Sequence, residues 1–278
     1  MFLPTTIREV RERGWDALDV ILFTGDAYVH HPSFGAAVIG RLLEAEGYRV
    51  AVVPQPNWQD DLRDFRKLGT PRLFFGVTAG AMDSLVNHYT ANLRLRSNDA
   101  YTPGGKAGFR PDRAVEVYTR ILKRLFPRVP VVIGGIEASL RRLTHYDYWS
   151  DALRPPILVT SGADLLIYGM GDGVVERVAR AMHNGYNAKL LRNIPQVGFL
   201  ADSSYVGRLD PARTIRLRSF EECTADPRAM GDNFTVIETQ SNLMEPTATL
   251  SQSHFVSSAN CFASPRSVKP FFVRKISS

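Results

Sequence analysis

Cysteine is nearly missing from this 278-residue chain, which has only Cys223 and Cys261. Far apart in sequence, the two cannot form a local metal-binding motif between them. A disulfide is allowed on count but disfavoured in a reducing compartment, so both read as buried or incidental thiols. Long apolar runs are missing as well, and no uninterrupted stretch approaches the roughly 20 residues that span a bilayer. The N-terminus turns charged early, at Arg8, Glu9, Arg11, Glu12 and Arg13. That excludes a signal-peptide core, and the expected compartment is the cytoplasm. Excess charge of one sign is small: 34 basic residues stand against 28 acidic ones, a net +6 dispersed along the chain. Such a balance indicates no nucleic-acid partner. No catalytic-serine elbow, zinc-spaced Cys/His set or paired-carboxylate signature is present.

What is there is an alternation of short β-branched runs with helical stretches. At 44% hydrophobic residues, the chain can bury a substantial core. Asp19–Thr24 is a continuous apolar run of the kind expected for a strand buried on both faces. A helix is expected over Ser33–Glu46, with Phe34, Val38, Leu42 and Ala45 at helical spacing, Ser33 as its cap and Gly47 as its terminator. Tyr48–Val53, Arg72–Thr78, Val129–Ile133 and Ala163–Tyr168 read as four more strands. Helices are expected over Trp58–Leu68, Arg113–Phe126 and Val174–His183, the first closed by Gly69 and the last by Gly185. Strands alternating with helices make right-handed βαβ units. The expected fold is therefore α/β, a doubly wound, mostly parallel five-stranded sheet of the flavodoxin-like kind, with ligands favoured at the carboxyl ends of its strands. Two stretches break the rhythm. One is the polar loop from His88 to Asp112, too long to be idle in a compact domain unless functional or disordered. The other is the tail from Gln240 to Ser278, which has nine serines and one acidic residue, Glu245, and reads as irregular.

Three constellations carry chemistry. Gly25, Gly76, Gly80, Gly134, Gly135, Gly169, Gly171 and Gly173 all fall near strand ends. Any one of them serves a tight turn, but together along one edge they raise the case for a binding face. Asp26, His30, His31, Ser33 and Gly35 crowd the first of these turns. A histidine there could meet a metal or an anion, although a hydrogen-bonded loop residue is the simpler role. Glu137, Arg141, Arg142, His145, Asp147 and Asp151 gather ionisable groups beside Tyr146, Tyr148 and Trp149. That density suits acid–base work, anion recognition or an interface; the plain alternative is a solvated face with pairs such as Glu137 and Arg141. Residues alone stop at an α/β domain with a ligand or partner on its strand-end edge.

The wording of several segments goes further. Thr24-Gly-Asp-Ala-Tyr-Val-His-His-Pro-Ser-Phe-Gly35, Phe74-Phe-Gly-Val-Thr-Ala-Gly80, Asp99-Ala-Tyr-Thr-Pro103 and Arg110-Pro-Asp-Arg113 resemble the N-terminal region of YgiQ-family radical SAM proteins. So do Gly134-Gly-Ile-Glu-Ala-Ser-Leu-Arg-Arg142, His145-Tyr-Asp-Tyr-Trp-Ser-Asp151 and Ala163-Asp-Leu-Leu-Ile-Tyr-Gly-Met-Gly171. The resemblance covers about residues 1–200 in order. It implies a leading α/β domain of the cobalamin-binding type, followed by a barrel-like domain whose Cys-x-x-x-Cys-x-x-Cys holds a 4Fe–4S cluster and S-adenosylmethionine. Cys223 and Cys261 cannot make that motif, so no cluster is expected on this chain and radical chemistry is expected only of full-length relatives. The implied organisation is an α/β domain over 1–200, a linker over 201–239 towards a catalytic core missing or separately encoded, and an irregular tail over 240–278. An early stop, a frameshift or a split gene would each produce such a chain. Corrinoid ligation through Asp-x-His-x-x-Gly is disfavoured, because Tyr28 stands where the histidine belongs, although His31 precedes Gly35 by four. Corrinoid binding without a protein ligand stays open, as does a free-standing nucleotide- or corrinoid-binding module.

Overall fold

The computed structural model describes residues 2–241, 249–252 and 255–257. The chain is a mixed α/β structure around a mostly parallel central sheet. All five strands expected from the apolar runs form: β1 Val20–Thr24, β2 Val50–Pro54, β3 Phe74–Thr78, β4 Val131–Ile133 and, after the hairpin below, β7 Leu165–Ile167. They lie parallel in the spatial order β2-β1-β3-β4-β7. The central strands are buried along nearly their whole length, which is why they read as unbroken apolar runs.

The sheet has nine strands among the described residues rather than five. Beyond β7 it continues through β8 Val197–Leu200, β11 Phe255–Ser257, β10 Thr249–Gln252 and β9 Thr214–Leu217. β8 runs antiparallel to β7, as does β11 to β8 and β10 to β11, while β9 and β10 are parallel. The stretch expected to be a linker thus contributes β9 and three helices, Ser203–Gly207, Phe220–Ala225 and Pro227–Ser241. Part of the expected irregular tail is strand; the remainder of that tail lies outside the described residues. These strands escape a sequence reading because each is four residues or fewer, β8 is interrupted by Gly198 and β10 carries polar Thr249, Ser251 and Gln252. A separate hairpin of β5 His145–Asp147 and β6 Ala152–Arg154 stands apart from the main sheet.

Helices cover both faces. On one, Gly35–Ala45 and Asp172–His183 pack over Val20, Leu22, Phe74, Val132 and Leu165. The buried face of the first is Ala36, Ala37, Gly40 and Leu43, not the larger residues the spacing suggested. Small side chains let the helix settle close: a Cβ on Gly40 would overlap Leu3. Ser33 does not cap it, since the N-cap is Phe34 with no side-chain bond. On the other face, Ala114–Leu125 packs Val115, Tyr118 and Leu122 against Phe75, Val77 and Ile133. The helix expected over 58–68 shrinks to Arg63–Arg66. Asn57, Asp60 and Asp61 instead accept from the backbone N–H two residues on, three successive Asx turns that compete with helix. The helix-closing glycines stand as expected, Gly47, Gly69 and Gly185 all at positive φ.

Candidate functional site

The carboxyl ends of β1, β3, β4 and β7 open onto a cavity of about 380 Å³. Its floor is Gly76, Val77, Thr78, Ile133, Gly134 and Gly135; its walls are the two helix starts, with Ser33, Gly35, Val38, Met170 and Asp172. The lining is mainly apolar. Gly135, at φ 80°, leaves no room for a side chain, because a Cβ would overlap the Thr78 hydroxyl. Of the residues singled out in sequence as site candidates, Ser33, Gly35, Gly76, Gly134, Gly135, Gly169 and Gly171 line this cavity. Val38 and Met170, also in its wall, carried no signal beyond ordinary helix and loop positions.

Asp26 does not join them. Its Oδ1 accepts from Arg110 Nη2 at 2.5 Å and its Oδ2 from the Ala81 N–H at 2.6 Å. Arg110, with a side chain 0% exposed, also donates to the Ala79 carbonyl at 2.8 Å and stands 3.6 Å from Asp99. Burial pushes the Asp26 carboxyl up, with Arg110 and the Ala81 amide working against it. Gly80, at φ 109°, is required here, since any side chain would strike the Asp26 carboxylate. This knot orders the long loop. Asp99 accepts from the Tyr101 N–H, the Tyr101 carbonyl accepts from Ala27 N–H, and Gln55 donates to Thr102. At the loop's base His88 and Tyr89 both bond Asp112. His31 stands exposed, its Nδ1 accepting from the Ser33 N–H, and does not line the cavity.

The third constellation divides. Glu137 is wholly buried and accepts from the N–H groups of Ser84 and Val115, each at 3.0 Å. Those amides open the helices Ser84–His88 and Ala114–Leu125, so one carboxylate satisfies two helix N-termini. Burial raises its pKa, Arg141 opposes and Asp83 adds to the rise. Arg141 forks onto Asp83. Asp147 is held by Arg113 and Ser150. Asp151 lies at the surface and accepts from Tyr146 OH at 2.5 Å. Arg141, Arg142, His145 and Asp147 nevertheless line a second cavity of about 290 Å³, against the helix Pro227–Ser241. The sequence reading did not single out Asp83, and Asp99, Arg110 and Arg113 entered it only inside the family-like segments; Asp83, an N-cap aspartate before Ser84, had a local signal.

His145 is largely buried, and burial depresses its pKa to about 4. Its Nδ1 lies 3.0 Å from the Leu143 carbonyl, which can only accept, so the ring is neutral with hydrogen on Nδ1. A histidine near its ordinary 6.5 when unfolded and about 4 when folded binds fewer protons in the native state between those values. Stability is therefore lost as pH falls through that window, by about 3 kcal/mol from this group. His145→Gln should remove that share of the acid sensitivity, read as the difference between wild-type and variant urea midpoints at pH 7 and pH 4.

The radical SAM N-terminal family matches residues 2–267. This chain belongs to that family. It is 61% identical over 245 residues to a UPF0313 protein of Porphyromonas gingivalis, covering 88% of this chain and 38% of that one. It is 58% identical over 253 residues to a UPF0313 protein of Bacteroides thetaiotaomicron, covering 87% and 40%. The chain thus spans about two fifths of the length of these curated relatives. Among solved structures, the radical S-adenosylmethionine methyltransferase TsrM of Kitasatospora setae, with tryptophan substrate and a SAM analogue, aligns at TM-score 0.43 and 21% identity. That alignment covers 67% of this chain and 29% of TsrM.

Radical SAM family cofactors can be weighed against the residues present. Three thiolates for a cluster are not available: the chain has two cysteines, of which Cys223 is buried with its sulfur near the Arg218 carbonyl and Asn233. Among the described residues no group of three His, Cys, Asp or Glu is placed to hold a metal. The Asp26–His31 turn does not fit ligation of a corrinoid, because Asp26 is committed to Arg110 and His31 is not among the residues that line the cavity. Among the described residues no helix is long and apolar enough to cross a membrane.

Proposed function

We propose that this chain acts as the accessory N-terminal domain of a YgiQ-type radical SAM protein, presenting its strand-end edge to a catalytic domain that carries the cluster. The observation that carries this reading is the mainly apolar cavity at the strand ends, with exposed apolar side chains in the loops that follow those strands. Val29, Leu93, Leu95, Phe109 and Met170 are all exposed, and all sit in loops that leave the carboxyl ends of β1, β3 and β7. Other large apolar side chains, such as Phe2, Val159, Leu190 and Phe234, are bare elsewhere, so it is the company of these five with the apolar, glycine-floored cavity at the same strand ends that supports a contact surface. The order β2-β1-β3-β4-β7 supports a flavodoxin-like core, in which the crevice between the first and third strands is the ligand side. The reaction, its S-adenosylmethionine and its cluster belong, on this reading, to the partner domain.

The test is association. The remainder of the Porphyromonas gingivalis relative, beyond its matching region, would be mixed with this chain and followed by sedimentation. A stoichiometric complex is expected, weakened about tenfold by Met170→Arg at the exposed rim, where a charge would be buried against the partner. Two species sedimenting independently would overturn the proposal. The glycine-floored cavity favours a second reading, a binding module for a flat ligand. Saturable binding of hydroxocobalamin or a flavin nucleotide by this chain alone, abolished by Val38→Trp in the cavity wall, would establish it instead.

A further inference from the structure

The second cavity, remote in role from the strand-end edge, has in its lining an arginine whose charge the fold leaves unanswered. Arg142 lines it and is 3% exposed. Its guanidinium donates to the Ser139 carbonyl at 2.8 Å and lies 5.2 Å from the centre of the Tyr168 ring. No carboxylate among the described residues pairs with it. The two carboxylates that share the cavity are engaged elsewhere, Asp83 by Arg141 and Asp147 by Arg113 and Ser150. A buried guanidinium without a counter-charge costs several kcal/mol, and such a group persists where something else supplies the anion.

Beside it stand three buried polar atoms without a partner: Thr144 Oγ1, His145 Nε2 and Trp149 Nε1. Thr144 is itself 5% exposed, held by its N–H on Gln252 of β10 at 2.8 Å. Their chemistry is complementary. Trp149 can only donate, neutral His145 offers a lone pair at Nε2, and Thr144 can do either. The remaining wall, with Leu143, Met230, Phe234 and Ile237, is apolar and disfavours a strongly hydrated dianion. One uncompensated positive charge calls for one negative charge.

We propose that this cavity binds a small monocarboxylate bearing a neighbouring hydroxyl or amide hydrogen. Arg142 takes the carboxylate, Trp149 and Thr144 donate to its second oxygen, and His145 Nε2 accepts the ligand's hydrogen. Such chemistry has two sources, a free hydroxy acid or the C-terminal carboxylate of a polypeptide. Calorimetric titration of the full chain with lactate and with N-acetylglycine separates them, with acetate and lactamide as controls lacking the donor or the charge. Saturable binding of lactate, of N-acetylglycine or of both is expected, at least about tenfold tighter than either control. Lactate alone assigns the site to a free acid, and N-acetylglycine alone to a chain end. Arg142→Met, which removes a buried unpaired charge, should fold with a raised melting temperature and lose binding. Trp149→Phe, which deletes one N–H from a half-buried ring, should weaken binding about fivefold. Absence of saturable binding by both ligands, equal binding of lactamide, or unchanged affinity in Trp149→Phe would overturn the proposal.

Discussion

Replacing Asp26 by alanine should destabilise the chain by about 3–5 kcal/mol, because it strands a fully buried guanidinium. Arg110 Nη2 would lose its 2.5 Å partner, and its remaining bonds, to the Ala79 carbonyl and at a stretched 3.6 Å to Asp99, do not replace a carboxylate. The effect should appear as a lower urea midpoint with little change in slope. It should also free the loop from His88 to Asp112, raising its rate of proteolytic nicking, since Asp99 and Arg110 both lie in that loop and Ala27 pairs with Tyr101. Changing both partners to apolar residues, Asp26→Leu with Arg110→Met, should recover much of the loss, because the desolvation cost of both ions disappears with them. A double variant no better than the single one would show that the pair's role is packing rather than charge.

Glu137→Leu should cost a similar amount, about 3–5 kcal/mol, for a different reason. Here two backbone donors, Ser84 N–H and Val115 N–H, are left buried without an acceptor, at about 1–3 kcal/mol each. Arg141 keeps Asp83 and so is not stranded. Glu137→Gln should lose clearly less than the leucine variant. Burial already raises the carboxyl's pKa, so the ionised form is held at a cost the amide does not carry, while its one oxygen still accepts. The order wild type, Gln, Leu in urea midpoint is the expected result; a glutamine variant as weak as leucine would place the stabilisation in the charge itself. Neither substitution touches the strand-end cavity, so both are effects on the frame that holds it.

The two variants also show what sequence can and cannot make legible. The parallel strands were readable because burial on both faces demands continuous apolar runs, as in Val20–Thr24 and Phe74–Thr78. The closing glycines were readable because only positive φ ends those helices tightly, as at Gly47 and Gly185. The sheet's far half was not. Its strands are short, and β9 finds its neighbour β10 only across a long stretch of chain, so no local pattern announces it. The site was legible by place rather than by role. Glycines 134 and 135 do floor a cavity, yet Asp26, Glu137 and Asp147, singled out as ligand candidates, are consumed by Arg110, by two helix starts and by Arg113. A buried arginine in a polar loop looks like a solvated one until the fold places its carboxylate partner, 84 positions away.

The central claim is that this chain supplies the family's leading α/β domain without the machinery that holds a cluster. Anaerobic reconstitution of the purified chain with iron, sulfide and S-adenosylmethionine tests it most directly. The expected result is no stable iron–sulfur absorbance after desalting and no reductive cleavage of S-adenosylmethionine. A stable cluster with cleavage by this chain alone would contradict the account.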